Sequence, residues 1–234
     1  MVRAVLFDLF ETLITESETR RTGVSSLAAD LGCERETFRP RWKAVRPAVM
    51  IGRVSFRQAL SDVTAKLGSR ADEATLQRMC EERIHATGEA LTQVEPQILL
   101  MLDCLRKRDL RLGVVSNCFE EDVASWPRSS LASHFDCTVF SFEVGLAKPN
   151  PEIYLEATRR LGVDVSETWF VGDGAHGELP GAEQAGLRAF RALWFLKRWP
   201  HYQEVPCSTS SIASVDEFVS LVEQTLEPHP TVVP

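Results

Sequence analysis

Four polar clusters in this chain each stand just after an apolar run. Asp8 follows Val5-Leu6-Phe7, Ser116-Asn117 follows Val114-Val115, Lys148-Pro149 lies beyond Phe140-Ser141-Phe142, and Gly172-Asp173 follows Trp169-Phe170-Val171. An acid at the tip of a buried strand is partly desolvated and faces a cleft, which suits a nucleophile or a metal ligand. A hydroxyl with an amide, a lysine and a second acid are groups that bind an anion, neutralise charge and hold a cation. Each has a plainer account on its own; Asp8, for instance, caps a turn that runs on through Thr12. Their matching positions at four strand ends carry the argument.

Residues 1–6 read as a short buried strand. Helical patterns then cover 25–31, 34–50, 55–67 and 72–91, punctuated by Gly32, Gly52 and Gly68, with Ser55 a cap. Pro40 and Pro47 are expected to start, kink or break the second of these. Leu76, Met79, Cys80, Arg83 and Ile84 share helical spacing in the fourth. This block shows no strand pattern and is read as a helical insert packing on itself. From Pro96 the character changes. Helices are expected at 96–108, 120–126, 151–161, 179–185 and 214–226, and strands at 110–115, 137–142, 168–171 and 187–193. Strands alternating with helices imply an α/β fold with a parallel sheet and right-handed crossovers. All strand C-termini then lie along one edge, where ligands bind. The tail from Glu227 onward reads as disordered.

Composition narrows the function classes. The chain has 234 residues and a net charge of −7 with acids and bases mixed along it, which argues against nucleic acid or an anionic membrane as main partner. Arg106-Lys107-Arg108 near a helix end is read as a solvated face. Six cysteines are scattered without a C-x-x-C pair, so a disulfide framework or zinc site is not expected and a reducing cytoplasmic setting fits. No secretory leader or membrane span is expected from the pattern.

FDLFETL at 7–13, VVSN at 114–117, AKPNPEIY at 147–154 and VGDGAHGELPGAEQAGL at 171–187 together resemble the motif set of the haloacid dehalogenase superfamily of hydrolases. The likeness covers 1–15 and 96–193. It implies a Rossmann-like three-layer core (1–15 and 93–227), a small all-α cap (16–92) and a short tail (228–234). It also implies roles. Asp8 would attack in line and form an aspartyl intermediate, and Lys148 would neutralise it. Ser116 and Asn117 would donate to a phosphoryl or carboxylate oxygen, and Thr12 would brace the loop. Asp8, Asp173 and Glu178, with the Phe10 carbonyl, would hold Mg²⁺. The implied partner is a small anionic metabolite, in a monomer or a homodimer.

Two departures qualify the resemblance. Phosphatases of the superfamily carry an acid two residues after the nucleophile, where this chain has Phe10; losing such a group typically costs about 10²–10⁴-fold in rate. Glu11 is adjacent, but successive residues of an extended strand end point to opposite sides, so it is not expected to substitute. The dehalogenase branch has an aromatic residue there and uses no metal, yet its last motif lacks the Gly-Asp and Glu178 found here. Glu178 itself stands where many relatives have Asp. His176 is read as a ligand contact, a general acid or an exposed loop histidine.

Arg20, Arg21, Arg41, Arg46 and Arg53 lie in the insert, where one or two would read an anionic substrate and the rest would be solvated. Cys118 is read as a small buried side chain. Trp194, Phe195, Trp199 and Tyr202 are read as core packing or an apolar wall, and Trp42 and Trp126 as structural. The leading expectation is a Mg²⁺-assisted phosphatase; the alternatives are a 2-haloacid dehalogenase and a non-catalytic protein of the same fold.

Overall fold

The computed structural model describes residues 1–15, 24–69, 71–199 and 208–226. The first strand is β1 (Ala4–Phe7). The insert holds α1 (Val24–Asp30), α2 (Arg35–Met50), α3 (Phe56–Lys66) and α4 (Glu73–Thr92). The remainder alternates: α5 (Pro96–Arg106), β2 (Arg111–Ser116), β3 (Cys137–Phe140), α6 (Ser141–Val144), α7 (Pro151–Leu161), β4 (Thr168–Gly172), α8 (Glu178–Gln184), β5 (Arg188–Ala192), β6 (Ser211–Ile212) and α9 (Val215–Leu226).

All six strands pair in parallel in the order β3-β2-β1-β4-β5-β6. β1 therefore lies between β2 and β4, so Asp8, Ser116 and Asp173 emerge side by side at one edge. The register places Phe7 opposite both Val114 and Val171. The alternation along β1 divides the core into two layers. Val5 and Phe7 join Ile98 and Leu102 of α5 and Phe218 and Val222 of α9. Ala4 and Leu6 join Ile153, Tyr154 and Ala157 of α7 and Ala182 of α8. Helices thus cover both faces, as a parallel sheet requires.

The insert has its own apolar cluster, with Leu27, Phe38, Trp42, Phe56, Leu60, Leu76 and Met79. Phe119, from the loop after β2, is embedded in it. At the other end of α4, Ala90 and Leu91 belong to the cluster beneath the sheet. Ser55 accepts from Gln58 N at 3.1 Å and Asp72 from Thr75 N at 2.7 Å, capping α3 and α4. No described helix is long and apolar enough to cross a membrane. The five described cysteines are free thiols.

Four expectations need correction. α2 does not break at Pro40 or Pro47. Each proline forfeits one backbone hydrogen bond, and burial of Phe38, Trp42 and Val49 along the same helix offsets that loss. The helix expected at 120–126 is instead short 3₁₀ turns, Glu120–Val123 and Trp126–Arg128. Pro127 stops propagation there, and the Asp122 carboxylate accepts from Phe119 N at 2.9 Å. The strand expected to 142 stops at Phe140, because the Ser141 hydroxyl turns to accept from Cys118 N (3.1 Å) and donate to Met50 O (2.6 Å). Strand β6 was not foreseen. Arg20, Arg21, Tyr202, Cys207, the start of the insert and the tail lie outside the described residues.

Candidate active site

Asp8 leaves the end of β1, where its backbone N–H donates to Val171 O at 2.8 Å. Lys148 reaches it from the loop after α6 and ion-pairs with its Oδ1. The same ammonium donates to Glu178 Oε2 at 2.5 Å. Asp8, Lys148 and Glu178 are all buried. One carboxylate oxygen each from Asp8, Asp173 and Glu178 lie within 4.8 Å of one another. Three acids and one lysine therefore share a site at the strand C-termini, the place the alternating pattern marks out.

Small residues let the parts approach. A Cβ at Gly172 would collide with Glu178 Oε1, so only glycine there admits this carboxylate beneath β4. A Cβ at Gly181 would collide with Pro149 O, so glycine also lets α8 pack against the lysine loop. Glu178 is held at both oxygens: Oε1 accepts from Gly174 N at 2.9 Å and Oε2 from Lys148. Tyr154 donates to the Glu178 carbonyl at 2.7 Å, tying α7 to the start of α8. Asp173 Oδ1 accepts from Ala175 N at 2.8 Å.

Asn117 does not aim its amide solely at a ligand. Its Nδ2 donates to Lys148 O at 2.9 Å and its Oδ1 accepts from Lys148 N at 2.8 Å. It thereby fixes the lysine backbone, a positioning task invisible in the spacing. Ser116 and Thr12 are buried, and among the described residues neither hydroxyl has a hydrogen-bond partner. The Thr12 carbonyl accepts from Trp194 Nε1 at 2.8 Å, which pins the loop after β1 to the segment after β5. Trp194 and Phe195 are core residues, whereas Trp199 is 40% exposed and donates to Glu11 Oε2 at 2.7 Å. Glu11 sits at φ 57°, in the left-handed region, so the chain is not extended there and strand alternation does not govern its direction. Thr15 also donates to its carboxylate, at 2.8 Å.

Burial is the main perturbation of all three site carboxyls. Burial pushes Asp8 up to about 7, with Glu178 adding and Lys148 opposing. Burial likewise raises Glu178 against the pull of Lys148, and raises Asp173 with help from Asp8. Burial disfavours the charged Lys148, but Asp8 and Glu178 together outweigh it and hold the ammonium above its usual range. A cavity of about 140 Å³ opens onto these groups; Phe10, Arg46 and the exposed His176 also line it. Arg41 and Arg53 do not. Cys118 is fully buried, and burial raises its thiol well above the ordinary range.

The family model for haloacid dehalogenase-like hydrolases matches residues 2–186. The glyceraldehyde 3-phosphate phosphatase of Methanopyrus kandleri is 31% identical over 203 residues, covering 82% of this chain and 84% of that protein. Phosphoglycolate phosphatase 1 of Pseudomonas aeruginosa is 28% identical over 192 residues, covering 80% and 67%. Among solved structures, the 2-haloacid dehalogenase of Pseudomonas syringae pv. Tomato DC3000 superposes with a TM-score of 0.65 at 24% identity, covering 96% of this chain and 100% of that one, a likeness of fold. With motifs, sheet order and family match in agreement over most of its length, this chain belongs to the haloacid dehalogenase-like hydrolases.

Proposed function

We propose that the chain is a phosphatase acting on a small phosphorylated metabolite through an aspartyl intermediate on Asp8. The observation that carries this reading is the shared buried site of Asp8, Lys148, Asp173 and Glu178. An Asp8 carboxylate oxygen forms a bond to phosphorus while the bond from phosphorus to the leaving oxygen breaks. Water then attacks the phosphorus, releasing phosphate and restoring Asp8. Lys148 holds Asp8 in place and balances charge that develops on the phosphoryl oxygens. Ser116, buried and unpartnered among the described residues, would donate to one of those oxygens. Asn117 keeps Lys148 in position.

The donor set fits Mg²⁺. Three clustered carboxylates exceed the single lysine in charge, and burial makes that excess costly without a cation. Asp8, Asp173 and Glu178, with the Phe10 carbonyl, are the residues that would hold it. Bound there, the ion neutralises charge on the phosphoryl group. Such a cluster is of no use to the metal-free dehalogenase alternative. Relatives named as phosphatases of glyceraldehyde 3-phosphate and phosphoglycolate support the class. The helical insert is read as the cap over this site.

Phe10 cannot protonate a leaving oxygen, so substrates whose leaving group needs no proton are favoured. The test is Mg²⁺-dependent turnover of acetyl phosphate and para-nitrophenyl phosphate by the unsubstituted protein and by Asp8→Asn. The expected result is turnover of both, faster for acetyl phosphate, and none with Asp8→Asn. No turnover of either substrate would overturn the reading.

A further inference from the structure

We propose that Glu11 is the base that activates water in the second half of the reaction, when the phosphoryl group leaves Asp8. This inference rests on the phosphatase reading and deepens it. Hydrolysis of an aspartyl phosphate is speeded by a group that takes a proton from the attacking water. Asp8 is itself tied up in the intermediate at that stage, and the Phe10 side chain carries no oxygen or nitrogen. Glu11 lines the same cavity as Asp8 and Lys148.

The turn after β1 puts it there. Leu13 N and Ile14 N both donate to Leu9 O, at 2.9 and 3.1 Å, and Glu11 N donates to Ile14 O at 2.6 Å. These bonds close a tight loop and hold Glu11 at φ 57°, a conformation that a residue with a side chain rarely adopts. The carboxylate is then fixed in turn. Thr15 Oγ1 donates to its Oε2 at 2.8 Å, and Trp199 Nε1 donates to the same oxygen at 2.7 Å. An indole N–H can only donate, so Glu11 takes part as an acceptor. Its carboxylate can draw a proton from water and brings none to a leaving oxygen. That division agrees with the preference, set by Phe10, for leaving groups that need no proton.

The other groups at the cavity are committed elsewhere. Asp173 and Glu178 belong with Asp8 to the cluster suited to Mg²⁺. Asp8 and Glu178 keep Lys148 protonated. Asn117 spends its amide on the Lys148 backbone. His176 is exposed, and among the described residues no hydrogen bond orients its ring. A base works best when held in one direction, and Glu11 has two donors to hold it. The step balances as follows: the water oxygen bonds to phosphorus while the bond from phosphorus to the Asp8 oxygen breaks. The water proton passes to the Glu11 carboxylate, Asp8 is restored as a carboxylate, and Glu11 then releases the proton to solvent.

The test uses the full chain with Mg²⁺ and acetyl phosphate. Rapid quenching in acid and intact-protein mass spectrometry follow the gain of a phosphoryl group and, after dilution of the acetyl phosphate, its loss. Glu11→Gln keeps an oxygen that can accept from Thr15 and Trp199 but is a far poorer base. The expected result is that Glu11→Gln gains the phosphoryl group as the unsubstituted protein does and loses it about 10²–10⁴-fold more slowly. Trp199→Phe, which removes one bond and keeps the carboxylate, slows the loss less. Unchanged loss in Glu11→Gln would overturn the proposal. So would failure of Glu11→Gln to gain the group, which places Glu11 in the first step or in the fold. Equal slowing in Trp199→Phe would assign Glu11 to holding the loop, and slowing in His176→Gln but not in Glu11→Gln would move the role to the histidine; either overturns it. Absence of turnover in the unsubstituted protein defeats the phosphatase reading as well, whereas normal turnover with any of these four outcomes defeats this inference alone.

Discussion

Lys148 and Arg83 are both cations bound to buried carboxylates, yet the charge around them is balanced differently. Arg83 of α4 ion-pairs with Asp122: its Nη2 donates to Asp122 Oδ2 at 2.9 Å, and its Nε lies 2.8 Å from Oδ1. The same guanidinium stacks over Phe119 at 4.5 Å and Phe56 at 5.2 Å. One cation, one anion and two rings make a closed joint between the helical insert and the loop after β2. Lys148 instead faces Asp8 and Glu178 directly, with Asp173 close behind. That group keeps an excess of negative charge and opens on a cavity. A neutralised pair suits holding, whereas an unbalanced cluster beside an opening suits a cation and a reaction.

Asp8→Asn is expected to reduce acyl phosphate turnover by about 10⁴-fold or more, read by released phosphate, while leaving the fold intact. At Phe10 the expected change is a gain. Phe10→Asp returns a proton donor and raises ester turnover by about 10²-fold relative to acyl phosphate turnover. At the joint the effect falls on stability. Arg83→Met strands the Asp122 carboxylate in the interior and is expected to cost about 3–5 kcal/mol in chemical denaturation. Arg83→Met together with Asp122→Leu, which leaves no charge stranded, should recover much of that loss.

The smallest expected effect concerns ions and pH. Mg²⁺ at a concentration 100 times its dissociation constant should stabilise the protein by about 2.7 kcal/mol, seen as a rise in Tm. Asp173→Asn should shrink this rise. Without Mg²⁺, the raised carboxyls bind protons more tightly folded than unfolded. Asp8, at about 7 rather than 3.8, then contributes stability at low pH that is lost as pH climbs from about 4 through 7. A denaturation series across that range should show the decline in the metal-free protein and a weaker one with Mg²⁺.

Legibility in the sequence followed the range of the interactions. Asp8, Lys148 and Asp173 could be brought to one rim because strand ends and alternation are local signals and a parallel sheet fixes what they mean. Ser55 announced the start of α3 for the same reason, bonding three residues ahead. What stayed hidden spans the chain. Arg83 and Asp122 meet across 39 residues and Ser141 meets Met50 across 91, with no pattern linking either pair. Asn117 looked like a substrate donor because its amide chemistry suits that task, and only the fold revealed Lys148 as its partner. Strand β6, two residues long, is too short to show a period. Glu11 was judged by strand geometry, although the chain has already turned there.

The proposed mechanism requires that one of three clustered carboxylates, Asp8, becomes covalently modified. Protein mixed with acetyl phosphate and Mg²⁺, quenched in acid within a turnover and digested, can be read by peptide mass spectrometry. A phosphoryl group on the peptide holding Asp8, absent in Asp8→Asn, is the predicted result. The same group on Asp173 or Glu178, or turnover with no labelled aspartate at all, would contradict it.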